Sequence, residues 1–86
     1  GHFDLTNSLG IPGQFDHPLF RDGVAQVLEA CRRHGKIPGF MAGDVATGKK
    51  LLDQGFRILA YSIDLWLYQM ALAQGLAALK EHRPSA

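Results

Sequence analysis

The stretch GKIPGFMAGD, residues 35–44, is matched in pattern by GFRILAYSID, residues 55–64. Each stretch begins with glycine, continues as a short apolar run and ends on aspartate. Apolar runs of this length between turn residues are typical of buried strands, so we predict strands at 37–42 and 57–62. These two strands decide the fold class, because the helical patterns of the chain alternate with them.

Three segments have apolar residues at helical spacing, and they predict helices at 18–34, 44–54 and 64–82. Strands that alternate with helices pair in parallel and are covered by those helices, so we predict an α/β chain. An aspartate at or just before the start of each helix is the expected N-cap. These N-caps are Asp16, Asp44 and Asp64.

Two parallel strands leave both edges of a sheet unpaired, and such a sheet is not stable alone. The helix predicted at 64–82 is also apolar on nearly every side, so something beyond these 86 residues must cover it. We therefore expect residues 1–86 to be the C-terminal part of a larger sheet or barrel.

Composition excludes several classes of protein. The chain is 47% hydrophobic with a net charge of +1, and its charges are dispersed, so neither disorder nor binding to nucleic acid or an anionic membrane is expected. No apolar run approaches the roughly 20 residues of a membrane span. Cys31 is the single cysteine and lies in a helical pattern, where a buried, inert thiol is expected. We predict a cytoplasmic protein.

GDVATGKK, residues 43–50, fits part of the phosphate-binding pattern G-x-x-x-x-G-K-[ST]. Lys50 stands where a hydroxyl should bind magnesium, and Asp44 brings a carboxylate to the place where the phosphate would lie. These two departures favour a plain strand-to-helix turn capped by Asp44 over a nucleotide-binding module.

The first 18 residues, GHFDLTNSLGIPGQFDHP, have no regular period, and we predict a structured loop at 1–17 with a functional role. Asp4 lies between Phe3 and Leu5, which indicates a carboxylate held near a dry pocket, and carboxylate oxygens suit hard divalent ions. The alternative is structural: Asp4 accepts from the backbone N–H of Asn7 or Ser8. An extended backbone would also let His2 and Asp4 bind a metal together.

This stretch resembles the loop G-P-x-D-L-[SA]-x-S-L-G of the HpcH/HpaI aldolase family, the class II, metal-dependent pyruvate aldolases such as the 4-hydroxy-2-oxoheptanedioate and 2-dehydro-3-deoxyglucarate aldolases. The likeness continues through the G-F-[LM]-A strand at 39–42, the Gly-Phe-Arg entry to the second strand and the Asp-Leu-x-Leu start of the last helix. It implies a (β/α)8 TIM barrel, of which this chain would hold the loop after strand six through helix eight.

The resemblance also implies a site. Asp4 would bind a divalent Mg, Mn or Co ion together with a glutamate outside this chain, the backbone amides of Phe3 and Asp4 would hold the pyruvate carboxylate, and Met41 would line the aldehyde side. The family has a small residue at the position of Phe3 and a proline at that of His2, so the pocket shape differs here. We expect His2 beside the site or facing solvent, because the family binds its metal without it.

The implied reaction is aldol cleavage or condensation of a 4-hydroxy-2-oxo acid, giving pyruvate and an aldehyde, as in the catabolism of aromatic compounds. The histidine base and its arginine would lie upstream, so no catalytic residue is expected here and the isolated segment should be inactive. The final helix would form a homo-oligomer, hexameric or based on dimers. The alternative is a non-catalytic α/β fragment used for oligomer assembly.

Overall fold

The computed structural model describes residues 1–84, which form a two-stranded sheet and four helices. The helices and strands predicted from residue 18 onwards are all present, with ends within two residues of the predicted ones. In chain order the elements are α1 (His2–Ser8), α2 (Pro18–His34), β1 (Gly39–Ala42), α3 (Val45–Gln54), β2 (Ile58–Tyr61) and α4 (Asp64–Glu81).

The two strands pair in parallel, from Gly39 opposite Ile58 to Ala42 opposite Tyr61. Ser62 extends the pairing past β2, since its N–H donates to the carbonyl of Ala42 at 2.7 Å. Helix α3 provides the crossover between the strands, as parallel pairing requires. The predicted α/β arrangement is therefore confirmed, and residues 1–84 do not close a barrel by themselves.

The core lies between the sheet and the helices α2 and α3. Ala42, Leu51 and Phe56 form its centre, and Phe56 is only 2% exposed. Phe40 packs its ring edge-on against Phe56 with the centroids 5.1 Å apart. Side chains alternate along a strand, so Phe40 and Ala42 share the face of β1 that α2 and α3 cover. The other side chains packed against this core are Val24, Leu28 and Leu59.

Helix α3 begins as predicted. The carboxylate Oδ1 of Asp44 accepts from the backbone N–H of Thr47 at 2.8 Å. Asp64 is not the N-cap of α4 as predicted. The N-cap is Ile63, and Asp64 is the first helical residue. The Asp64 carboxylate still accepts from the N–H of Leu65 at 2.8 Å, so it serves the same helix end from one position further along.

The N-cap of α2 is His17, and the prediction of Asp16 was wrong. The residue before a proline is held in an extended conformation, and His17 has ψ 138° ahead of Pro18. This turns the His17 ring to the helix start, where Nδ1 accepts from the N–H of Leu19 at 3.1 Å. Asp16 instead faces Arg21 at 3.6 Å on the surface. Further along α2, Cys31 is only partly buried.

Helix α4 buries none of its side chains. Its exposed large apolar residues are Leu65, Trp66, Leu67, Tyr68, Met70, Leu72, Leu76 and Leu79. Even so, no helix within the described part of the chain has both the length and the continuous apolar character needed to cross a membrane. The apolar surface of α4 is therefore the feature of the fold that these residues leave uncovered.

Candidate functional site

The segment predicted as a loop at 1–17 begins with a helix, so that prediction was wrong for residues 2–8. Helix α1 starts where the N–H of Leu5 donates to the carbonyl of Gly1 at 2.9 Å. It ends after Ser8, and the N–H of Leu9 still donates to the carbonyl of Leu5 at 3.0 Å. Seven residues are two turns, too few for a helical period to be visible in the sequence.

Thr6 joins α1 to the loop that follows it. The side chain is completely buried, and its hydroxyl donates to the carbonyl of Phe3 at 2.8 Å while accepting from the N–H of Gly13 at 3.0 Å. The N–H of Ile11 donates to the Thr6 carbonyl at 2.9 Å. Sequence reasoning missed Thr6, and the only signal was its place two residues after Asp4 in the loop that carries the family resemblance.

Asp4 lies on the exposed side of α1. Within residues 1–84 its carboxylate accepts no hydrogen bond from Asn7 or Ser8, so the turn-capping alternative is not what the helix uses. Oδ2 lies over Gly1, where an added β-carbon would be 3.1 Å away. The carboxylate is therefore available to a ligand.

The described residues contain no group of three or more His, Cys, Asp or Glu side chains close enough to hold a metal ion. A free carboxylate is nevertheless a suitable ligand for Mg²⁺ or Mn²⁺. The donor set of residues 1–84 thus fits one ligand of such a site, and the other ligands would have to come from elsewhere.

His2 and Asp4 do not form a pair. Positions two apart on a helix point in nearly opposite directions, so the extended arrangement that would let them bind a metal together is absent from α1. The His2 ring is instead stacked on Phe40, at 5.1 Å and 28°, and lies 5.2 Å from Phe15. Burial lowers the pKa of His2, and the Asp4 carboxylate opposes this shift. His2 is therefore a member of an aromatic cluster, and its burial among these rings disfavours the charged imidazole.

The ring of Phe3 completes this cluster. It lies 5.1 Å from the His2 ring and meets Phe15 edge-on at 4.9 Å, and Phe15 in turn contacts Phe20 at 5.3 Å. Phe3 remains 55% exposed, so part of its ring borders the surface beside Asp4. The Phe3 ring thus anchors α1 on the aromatic cluster.

A groove of about 610 Å³ runs between α2, α3 and the end of β1. Met41 and the rings of Phe15 and Phe40 form part of its wall. Charges of both signs also line it, from Asp16, Arg21 and Lys50. Phe3 and Asp4 do not line this groove. Of the residues predicted for the site, the structure thus places Met41 in the groove and keeps Phe3 and Asp4 together on α1.

The GDVATGKK segment is a capped helix start. Asp44 accepts from Thr47, and this hydrogen bond lowers the pKa of the Asp44 carboxyl, with Lys50 adding to the shift. Gly48 is buried, and a β-carbon there would lie 3.6 Å from the Ala42 side chain. Because 3.6 Å is an ordinary van der Waals contact, the packing of α3 on the sheet does not require glycine at this position. The Asp44 carboxylate occupies the helix start where a phosphate would bind.

Comparison with known proteins agrees with this description. No family model matches the chain. It is 38% identical over 80 residues to a 2-keto-3-deoxy-L-rhamnonate aldolase of Klebsiella pneumoniae and 39% identical over 84 residues to one of Salmonella typhimurium. Each match covers 93% of this chain and 30% of the relative, so the chain spans less than a third of the length of these proteins.

A solved structure gives the same result for the fold. The crystal structure of an HpcH/HpaI aldolase from Desulfitobacterium hafniense is 32% identical, superposes with a TM-score of 0.81, and matches 100% of this chain against 34% of its own. The predicted fold, a part of a TIM barrel, is thereby confirmed. By sequence and by fold, the chain is related over essentially its whole length to one portion of the HpcH/HpaI aldolases.

Proposed function

We propose that these residues belong to a metal-dependent lyase that cleaves a 4-hydroxy-2-oxo acid to pyruvate and an aldehyde. The observation that carries the proposal is the Asp4 carboxylate, which is exposed, has no partner among residues 1–84, and lies on a helix fixed by the hydrogen bonds of the buried Thr6. Asp4 occupies the ligand position of the loop that resembles the HpcH/HpaI aldolases. The names of the relatives, aldolases for a 2-keto acid, support the same class of reaction.

Asp4 would be one ligand of a Mg²⁺, Mn²⁺ or Co²⁺ ion. When bound, such an ion acts as a Lewis acid and polarises the 2-keto group of the substrate. The second acidic ligand, the histidine base and its arginine would come from residues outside the chain described here. The contribution of this chain is thus to hold one charged oxygen at a fixed position, which is the kind of preorganisation that metal sites require.

The backbone amides of Phe3 and Asp4 would hold the pyruvate carboxylate. Since the first intrahelical hydrogen bond of α1 comes from Leu5, the N–H groups of Phe3 and Asp4 have no acceptor within the helix. Met41 would line the aldehyde side, and its position in the groove leaves room beside it for a substituent. Phe3 and Asp4 lie outside this groove, so we propose that they contact the carboxylate end of a small 2-oxo acid and that Met41 contacts its aldehyde end.

A second function, assembly of a homo-oligomer, is favoured by the surface of α4. Leu65, Tyr68, Leu72 and Leu79 are 51% or more exposed and follow the a and d positions of a heptad, with Gly75 at the remaining d position. A face of this kind needs a partner. We propose that α4 packs against another copy of the protein, and this role is compatible with the lyase.

The lyase proposal is tested by pyruvate release in the complete enzyme, the polypeptide in which the barrel is whole. Asp4→Asn removes the charge while keeping the size, and it should lower kcat/KM by on the order of a hundredfold or more, because even partners of metal ligands cost 10- to 100-fold. Asp22→Asn on the exposed side of α2 is the matched control. Equal activity of the two variants would overturn the role of Asp4.

A further inference from the structure

Thr6 combines complete burial with two hydrogen bonds from one hydroxyl. We propose that Thr6 is a positioning residue for the metal site: it fixes the peptide that joins Phe3 to Asp4 and thereby sets the direction of the Asp4 ligand. This inference rests on the proposed function of Asp4. Thr6 itself cannot touch a metal ion or substrate, because its side chain has no exposed surface.

The hydrogen bond that Thr6 donates holds the peptide that joins Phe3 to Asp4. The acceptor is the Phe3 carbonyl at 2.8 Å, and this carbonyl belongs to the same planar unit as the N–H of Asp4. Holding the carbonyl oxygen fixes the plane, so it also fixes the opposite direction in which the Asp4 N–H points. The Cα of Asp4 is the next atom of that unit, and the side-chain carboxylate starts there.

The hydrogen bond that Thr6 accepts links α1 to the loop at 11–13. The N–H of Gly13 donates to Thr6 Oγ1 at 3.0 Å, and Gly13 has φ +70°, a left-handed conformation that glycine adopts without steric cost. The N–H of Ile11 donates to the Thr6 carbonyl at 2.9 Å. The loop at 11–13 therefore closes on α1 at Thr6, and Thr6 is the residue through which the two segments share hydrogen bonds.

The chemistry of the hydroxyl allows it to make both bonds at once. A threonine hydroxyl has one hydrogen and two lone pairs, so donating to Phe3 leaves lone pairs for Gly13. Valine has the shape of threonine without the hydroxyl and would leave the part-buried Gly13 N–H without this acceptor. Serine keeps the hydroxyl and loses only a methyl group. This pair of substitutions separates positioning from simple packing.

The test is Mn²⁺ binding by the complete enzyme, measured from the electron paramagnetic resonance signal of free Mn²⁺. Thr6→Val should weaken Mn²⁺ by 10- to 100-fold, the range found for residues that orient metal ligands, and Thr6→Ser should bind nearly as well as the natural protein. At saturating Mn²⁺ the kcat of Thr6→Val should return close to the natural value. A loss of kcat that saturating Mn²⁺ does not restore, or unchanged Mn²⁺ affinity in Thr6→Val, would overturn the role of Thr6.

Asp4→Ala in the same assay separates this inference from the proposed function. If Asp4→Ala loses Mn²⁺ binding and Thr6→Val does not, only the role of Thr6 is wrong. If Asp4→Ala binds Mn²⁺ normally, the proposed function is wrong, and the proposed role of Thr6 is then wrong as well.

A measurement on the unsubstituted enzyme covers the case in which Thr6→Val fails to fold. If the metal ligand and Thr6 are coupled, Mn²⁺ should slow hydrogen exchange at the Gly13 amide several-fold. The amide of Gly55, which donates to Leu52 at 3.1 Å at the end of α3, is the control and should not change. Unchanged exchange at Gly13 on saturation with Mn²⁺ would contradict the coupling.

Discussion

Helices α2 and α4 are nearly equal in length, with 17 and 18 residues, yet they bury very different surfaces. Helix α2 buries Phe20 and packs Val24 and Leu28 against the core, so one stripe faces inward and the rest faces water. Helix α4 is more apolar and buries nothing. Apolar content therefore does not measure how much a helix stabilises this chain; what matters is whether the described residues supply a surface to cover it.

The largest expected effect contrasts a core ring with a ring on α4. Phe56→Ala should lower the free energy of unfolding by about 3–5 kcal/mol, because Phe56 is 2% exposed. Trp66→Ala should change it by less than about 1 kcal/mol, because Trp66 is 45% exposed. Urea unfolding followed by circular dichroism measures both. Similar losses for the two variants would mean that Trp66 of α4 is as well packed as the core ring of Phe56.

The next effect concerns the partner of α4. Leu72→Glu places a charge in its apolar face and should weaken self-association at least about tenfold, which corresponds to about 1.4 kcal/mol. Val27→Glu on α2 is the matched control, since Val27 and Leu72 are both 51% exposed. Sedimentation equilibrium over a range of concentrations gives the dissociation constants. Equal effects of the two substitutions on the dissociation constant would show that α4 is not part of the interface.

A smaller effect is expected where β2 passes into α4. Ser62 has φ +55°, and its buried hydroxyl has no hydrogen-bond partner among residues 1–84. Ser62→Gly should raise the free energy of unfolding by about 1 kcal/mol, since relief of about 1–3 kcal/mol of strain exceeds the greater entropy of glycine in the unfolded chain. Ser62→Ala removes the hydroxyl and keeps the strain, so it should gain less. Destabilisation by Ser62→Gly in a thermal melt would contradict this account.

The smallest effect is the pH dependence of the α3 cap. The hydrogen bond from Thr47 holds the pKa of Asp44 below its ordinary value of 3.8, so the charged carboxylate is favoured in the folded state. Its contribution to stability is present above about pH 4 and is lost as the pH falls through the lowered pKa. Asp44→Asn keeps an acceptor oxygen and should remove this part of the acid dependence. Parallel acid titrations of the two proteins test it.

The sequence predicted the part of the fold that depends on the spacing of apolar residues and on the turn residues between the elements. The repeated Gly, apolar run and Asp at 35–44 and 55–64 was sufficient for the parallel strands, and Gly35 and Gly55 end α2 and α3 in left-handed conformations. The apolar residues on nearly every side of 64–82 correctly indicated a helix that the rest of the chain does not cover. Helix α1 was missed, because two turns held by one buried hydroxyl leave no periodic pattern in the sequence.

The candidate site was predictable only through resemblance. Composition and spacing identified Asp4 as an unusual carboxylate but left metal binding and turn capping as equal alternatives. The roles of Thr6 and His17 depend on where one hydroxyl and one ring nitrogen point, which follows from the turns on either side of them. Sequence patterns of hydrophobicity carry no information about such local hydrogen bonds.

The proposed role of Asp4 as a ligand of a divalent ion can be tested by isothermal titration of Mn²⁺ into the complete enzyme and into its Asp4→Ala and Asp22→Ala variants. We expect Asp4→Ala to lose high-affinity Mn²⁺ binding and Asp22→Ala to bind as the natural protein does. Retention of full Mn²⁺ affinity by a folded Asp4→Ala variant would contradict it.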